Sequence, residues 1–237
     1  INNDDNYKNT NVDFCVINNY DLNAHAVKTG EGEYLIVFRS GLFPMIFQLI
    51  GEQIDFLNDK LSVFGEKESI MGISLYFVWS YLFGHELGHI LRGHLNLTKS
   101  NNSISLNEEI IFSAINELPE MYYQNKDKLQ LLLEIDADNY SASLVTGSII
   151  NLIDKFKRNV NVSAKDIIQL ALYSIFLVHN ELNSLYSKSK RYPPPILRSA
   201  IVFEQVASLL STYTNLSIDE INKHIDEANC DIYSHLT

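Results

Sequence analysis

Positive charge is scarce in this chain. Eighteen lysines and arginines stand against 29 aspartates and glutamates, a formal net charge of -11 over 237 residues. That balance argues against nucleic acid or an anionic membrane surface as the main partner. Long apolar runs are missing too. The two most hydrophobic stretches, Ile70 to Phe83 and Ile167 to Val178, fall short of the roughly 20 residues that a bilayer-spanning helix needs. Each therefore reads as a buried helix, and no transmembrane segment is expected in the residues shown. Cysteine is limited to Cys15 and Cys230, near opposite ends. They show no metal-ligand spacing and can pair only if the termini meet, so a reduced, cytoplasmic protein is the milder expectation. The first residue is Ile1 rather than Met, which leaves a removed signal or anchor open. There is no internal repeat and no linker-like stretch. The composition is otherwise ordinary for a globular protein, 46% hydrophobic and 20% charged, and the length suits one sizeable core better than two.

Residues 1–11 are polar and Asn-rich and are expected to be disordered, with residues 12–237 forming a single domain. Phe14 to Ile17 reads as a short strand and Tyr34 to Phe38 as a clear one, rich in β-branched and aromatic residues. Asn23 to Val27 is expected to complete a hairpin across the turn cluster Lys28 to Gly32. After Gly41 the apolar spacing turns helical, through Ile46, Leu49, Ile50, Ile54 and Leu57. A long apolar helix is expected from about Ser69 to Leu91, with Gly93 near its end. A Ser/Asn loop at 96–106 then leads to a helix capped by Asn107 and stopped by Pro119. Further helices are expected from about Lys126 to Ile150, from the capping box at Ser163 to about Lys188, from Ile196 to about Leu210, and after Ser217. Tyr192-Pro193-Pro194-Pro195 reads as an extended segment. The class is α+β, mainly α, with a small N-terminal β-sheet.

The chemistry concentrates in His85-Glu86-Leu87-Gly88-His89-Ile90-Leu91-Arg92-Gly93-His94. His85 and His89 lie one turn apart on one helix face and can hold a zinc ion, while Glu86 beside them can serve as a base. A hydrolytic zinc site takes three protein ligands and leaves one position for water. His94 misses the spacing of an extended three-histidine motif by one residue and is expected near the rim. Glu134-Ile135-Asp136-Ala137-Asp138 supplies the third ligand instead. Three carboxylates within five residues, flanked by Leu131 to Leu133 and by Ala142, Leu144 and Val145, are costly to bury without a counter-charge. Glu134 and Asp138 share a helix face and Asp136 points to the other side. Glu134 is thus assigned to the metal, and Asp138 to the outer N–H of a ligand histidine.

With those residues in place, the chain resembles zinc metallopeptidases of the gluzincin group, which share H-E-x-x-H followed by a later E-x-x-x-D. It is most similar to the family of the bacterial heat-shock membrane protease and the CAAX prenyl proteases. Asn23-Ala24-His25-Ala26 resembles that family's N-A-F-A element. Tyr34 to Phe38 with Gly41-Leu42 resembles its active-site edge strand, and Tyr192 to Arg198 its H-P-x-x-x-x-R segment. The family's membrane spans are absent and Tyr192 stands where histidine is usual, which suits a soluble relative such as the phage-exclusion (Lit-type) peptidases. Regulatory metallopeptidases that cleave phage repressors share part of the pattern, but Ser143 to Gly147 departs from theirs.

The resemblance implies a helical, zincin-like core and a zinc-dependent endopeptidase. It would hydrolyse peptide bonds with metal-activated water and Glu86 as general base, acting on a protein or peptide substrate. Among Arg198, His179 and Tyr192 as donors to the developing oxyanion, it favours Arg198. It also implies that Tyr34, Ile36 and Phe38 line an exposed edge strand that pairs with substrate. Two rival expectations stand beside it: an inactive zinc-binding relative acting as a binding or regulatory module, and a helical interaction domain without metal. Glu86 argues against the first, because a structural site needs no base.

Overall fold

The computed structural model describes residues 9–96, 126–157, 161–186 and 194–236. The helix expected after Asn107, nearly all of the loop before it, and Tyr192-Pro193 lie outside the described residues. Three strands open the chain: β1 (Asn11–Ile17), β2 (Ala24–Gly30) and β3 (Glu33–Arg39). Seven α-helices are described after them: α1 (Leu42–Glu52), α2 (Ile54–Leu61), α3 (Lys67–Leu91), α4 (Lys126–Phe156), α5 (Ala164–Tyr186), α6 (Pro195–Tyr213) and α7 (Ile218–Leu236). The protein is α+β and mainly α, with its small sheet at the N-terminal end.

The expected hairpin is present. β2 pairs antiparallel with β3, Ala26 opposite Ile36, across a turn in which Gly32 takes a φ of 71°, a left-handed conformation open to glycine at no steric cost. β1 then joins the far side of β3, in parallel, with Phe14 opposite Ile36. The order is β1-β3-β2, and this overturns one expectation. β3 is the central strand, its backbone hydrogen-bonded on both sides, so Tyr34, Ile36 and Phe38 cannot offer it to a substrate. Their side chains are buried and pack, with Ala26, against Ile90 and Leu95 at the end of α3. The outer strands are β1 and β2.

α3 runs through the middle of the molecule. One side carries the sheet, through Leu82, Phe83, Leu87 and Leu91. The other enters a larger core built with Ile46 and Ile50 of α1, Ile149 of α4, Tyr173 of α5, Val206 of α6 and Ile225 of α7. The apolar stretches read from the sequence as buried helices are indeed interior: Ile70, Phe77, Val78 and Tyr81 of α3, and Ile167 to Val178 of α5, are almost wholly buried. Both expected capping boxes close. Ser163 and Ser217 each accept from the backbone N–H three residues on, at 3.3 and 3.2 Å, and the Asp166 and Glu220 carboxylates accept in return from their backbone N–H groups.

Candidate metal centre

The centre forms where α3 and α4 come closest, and small residues make that approach possible. Gly84 and Gly88 of α3 face Ser141 and Ala137 of α4. A Cβ added at Gly84 would meet the Ser141 Cα at 3.0 Å, and one at Gly88 would meet both the Cα and the carbonyl oxygen of Ala137 at 3.1 Å. These are backbone atoms, which cannot rotate away, and Leu144 Cδ1 and the Cβ atoms of Ser141 and Tyr140 crowd the same places at 3.1–3.2 Å. The helices pack this closely because neither glycine has a side chain; a Cβ at either would push its neighbours back by a few tenths of an ångström.

That contact brings His85, His89 and Glu134 together, all three buried, with one ligand atom of each within 4.8 Å of the others. The Nε2 atoms of His85 and His89 are 3.2 Å apart. His85 Nε2 lies 3.2 Å from one Glu134 oxygen and His89 Nε2 lies 3.8 Å from the other. Bonds of about 2.0–2.1 Å at tetrahedral angles put ligand atoms roughly 3.3–3.4 Å apart, so the donors present fit a divalent ion. The arrangement is a buried His-His-Glu group that can hold a metal.

Asp138 stands behind His85. Its Oδ1 lies 2.9 Å from His85 Nδ1, so that nitrogen carries the hydrogen and Nε2 is left to face Glu134. Three further donors complete the carboxylate: the Tyr81 hydroxyl at 2.6 Å, and Arg198 through Nε at 2.8 Å and Nη2 at 2.7 Å. The expected pairing of Asp138 with a ligand histidine is therefore found, and Tyr81, which sequence reasoning passed over, belongs with it. Its one signal, a position four residues before His85 on the same helix face, is shared with any core aromatic.

Arg198 needs a correction. Its guanidinium grips Asp138 with two nitrogens, also donates to Tyr81 at 3.0 Å, and lies on the Nδ1 side of His85 at 3.4 Å. Its hydrogen bonds go to Asp138 and Tyr81 and not to the His85-His89-Glu134 donor atoms, which speaks against the oxyanion role expected of it. His179 has Nδ1 2.7 Å from the Ser199 hydroxyl and its ring edge-on to Tyr81.

Burial and paired charge pull the titrations apart. Burial lifts Glu86 to about 7, opposed by the positive His85 and by a hydrogen bond from the Ala26 backbone. Burial would lift Glu134 as well, but its bond to His85 and the other nearby positive groups hold it down at about 2. Without metal, His85 is raised to about 10, because hydrogen bonds to Asp138 and Glu134 outweigh desolvation. Desolvation dominates at His89, which is lowered to about 3.

The Ala26 bond also ties the sheet to the site. Arg39 N–H donates to the Asn23 carbonyl at 3.0 Å. In an antiparallel ladder, inward and outward residues alternate, so Ala24 and Ala26 turn their backbone groups to the outer side of β2. The outer edge of β2 therefore abuts Glu86. Asp136 turns away from the ligand cluster, as its spacing requires. Its Oδ2 lies 3.1 Å from Nε2 of His94, whose Nδ1 lies 2.9 Å from His89 Nδ1. His94 is thus beside a ligand and not among the ligands. Neither cysteine is paired, and no described helix is long and apolar enough to cross a membrane. Comparison with family models, curated proteins and solved structures finds no match to the chain.

Proposed function

We propose that the chain is a zinc-dependent endopeptidase with Glu86 as its general base. One observation carries the reading: among the described residues, a three-residue donor set, His85, His89 and Glu134, with a buried carboxylate beside it that is not part of the set. Structural zinc sites close with four protein ligands, whereas three ligands leave one position open. Zinc held there would polarise a substrate carbonyl and acidify a water molecule.

The remaining work falls to the chain's own groups. Glu86 accepts the proton of the attacking water on a carboxylate oxygen and passes it to the departing amine nitrogen. The Ala26 N–H fixes that carboxylate. Asp138, held by Tyr81 and Arg198, orients His85. An extended peptide pairs along the outer side of β2, which takes over the part that β3 cannot play. The two free cysteines accord with a reducing compartment, and a cytoplasmic location belongs to the same proposal.

Wild type and Glu86→Gln, each carrying one equivalent of zinc, are to be offered a peptide library with products read by mass spectrometry. Cleavage by wild type is expected, slowed in the variant by about 10²–10⁴-fold, with zinc retained in both. Equal cleavage by the two, or none by either, would count against the enzyme and in favour of a zinc-binding module.

A further inference from the structure

We infer that His94, backed by Asp136, sets the tautomer and ring orientation of His89, so that His89 reaches the metal with its Nε2 lone pair. The inference rests on the metal reading above and adds a positioning residue to it.

Helical geometry does not put His94 in that place. Five residues beyond His89 on a continuing helix, it would lie about 140° further round the axis. Instead α3 stops. The Arg92 N–H bonds the Gly88 carbonyl at 2.9 Å and the Gly93 N–H bonds the Ile90 carbonyl at 3.0 Å. Gly93 takes a φ of 74°, the left-handed step that ends many helices and that L side chains adopt rarely. The chain doubles back into a short 3-10 turn over His94–Asn96, and the His94 ring arrives, buried, with Nδ1 at 2.9 Å from Nδ1 of His89.

Two imidazoles meeting Nδ1 to Nδ1 must hold opposite tautomers, since one nitrogen gives the hydrogen and the other receives it. The Asp136 carboxylate decides which. It only accepts, and it lies 3.1 Å from His94 Nε2, so that nitrogen carries the hydrogen of a neutral His94 and Nδ1 keeps its lone pair. His89 must then donate from Nδ1, which leaves its Nε2 bare, 3.2 Å from His85 Nε2 inside the donor set. The opposite tautomer would place a hydrogen on His89 Nε2 and block the metal. The two ligand histidines are thus oriented by different means: His85 by Asp138 directly, and His89 by Asp136 through an imidazole.

The test compares wild type, His94→Leu and His94→Gln by chelator competition with zinc alone, together with tautomer assignment by NMR of ¹⁵N-histidine-labelled protein. Glutamine can accept from His89 Nδ1 and donate to Asp136, so it keeps both contacts. Expected are a 10–100-fold weaker zinc affinity for His94→Leu, the typical effect of losing such a support, most of it recovered in His94→Gln, and an Nδ1–H tautomer at His89 in wild type. Wild-type affinity in the leucine variant, a glutamine variant no better than leucine, or an Nε2–H tautomer at His89 would overturn the inference. If the leucine variant does not fold, Asp136→Ala serves, since that side chain is 44% exposed. A several-fold loss of affinity supports the inference there, and an unchanged affinity overturns it. A wild type that takes up no zinc overturns the metal reading itself, a result distinct from all of these.

Discussion

At the scale of single residues, Asp138 bears the heaviest use in the site. It is fully buried and accepts from Tyr81, His85 and two nitrogens of Arg198. Desolvation works against its charged form, and the Arg198 guanidinium together with His85 more than offsets it, holding the carboxyl well below its usual range. Removing one partner of such a pair leaves a buried charge without compensation, which typically costs about 3–5 kcal/mol, whereas removing both leaves none. Arg198→Met is therefore expected to destabilise the fold by about that much in urea unfolding and to weaken zinc binding, and the double variant Arg198→Met/Asp138→Leu to regain part of the stability. In protein that still carries zinc, kcat should fall little. A large loss of kcat with metal affinity and stability intact would return Arg198 to the catalytic role first expected of it.

Among secondary-structure elements, the contact of α3 with α4 decides whether a site exists. Alanine at Gly84 or Gly88 gains about 1 kcal/mol of helix propensity and loses about 1–3 kcal/mol to crowding against Ser141 and Ala137. Because backbone atoms stand among the obstructions at both positions, crowding should win when both are changed. Gly84→Ala/Gly88→Ala is expected to unfold at lower temperature than wild type and to bind zinc more weakly, since His85 and His89 move away from Glu134 as the helices separate. Unchanged thermal unfolding and zinc affinity would refute this account of the glycines.

The His85-His89-Glu134 grouping was legible in the sequence because helical periodicity converts spacing into direction: His85 with His89, and Glu134 with Asp138, share faces in any helix. The hairpin of β2 and β3 was legible for a similar local reason. The strand order was not. Period-2 alternation says which residues share a face but not which neighbour a strand takes, and the first strand returning in parallel beside the third is a long-range choice. Arg198 was expected at an oxyanion, His94 only at the rim and Tyr81 not at all, because their places depend on the juxtaposition of α3, α4 and α6, and on a backbone reversal at Gly93, neither of which leaves a spacing signal.

For the molecule as a whole, buried neutral histidines tie stability to pH. Burial and the neighbouring Arg198 lower His179 to about 3, against an ordinary value near 6.5. Between those values the unfolded chain takes up a proton that the folded one refuses. The contribution of His179 is therefore complete above about pH 6.5 and is lost as the pH falls toward 3, at up to about 1.4 kcal/mol per pH unit. His179→Leu is expected to be less stable at pH 7, because Ser199 loses its partner, and to show a shallower fall in urea-unfolding free energy between pH 6 and 4. Parallel profiles for the two proteins would show that His179 is not the group responsible.

The placement of β1 has one more consequence. Tyr34-Leu35-Ile36-Val37-Phe38 is the kind of short, uncharged, β-prone segment that templates cross-β stacking when its edge is open. β2 immediately precedes β3 in sequence and can protect one side early, but the other side waits for a parallel partner from the start of the chain. Until β1 docks, or if trimming removes it, this β-prone strand presents an unsatisfied edge. The seven residues of β1 then act as a built-in cover against misassembly, apart from the candidate metal centre.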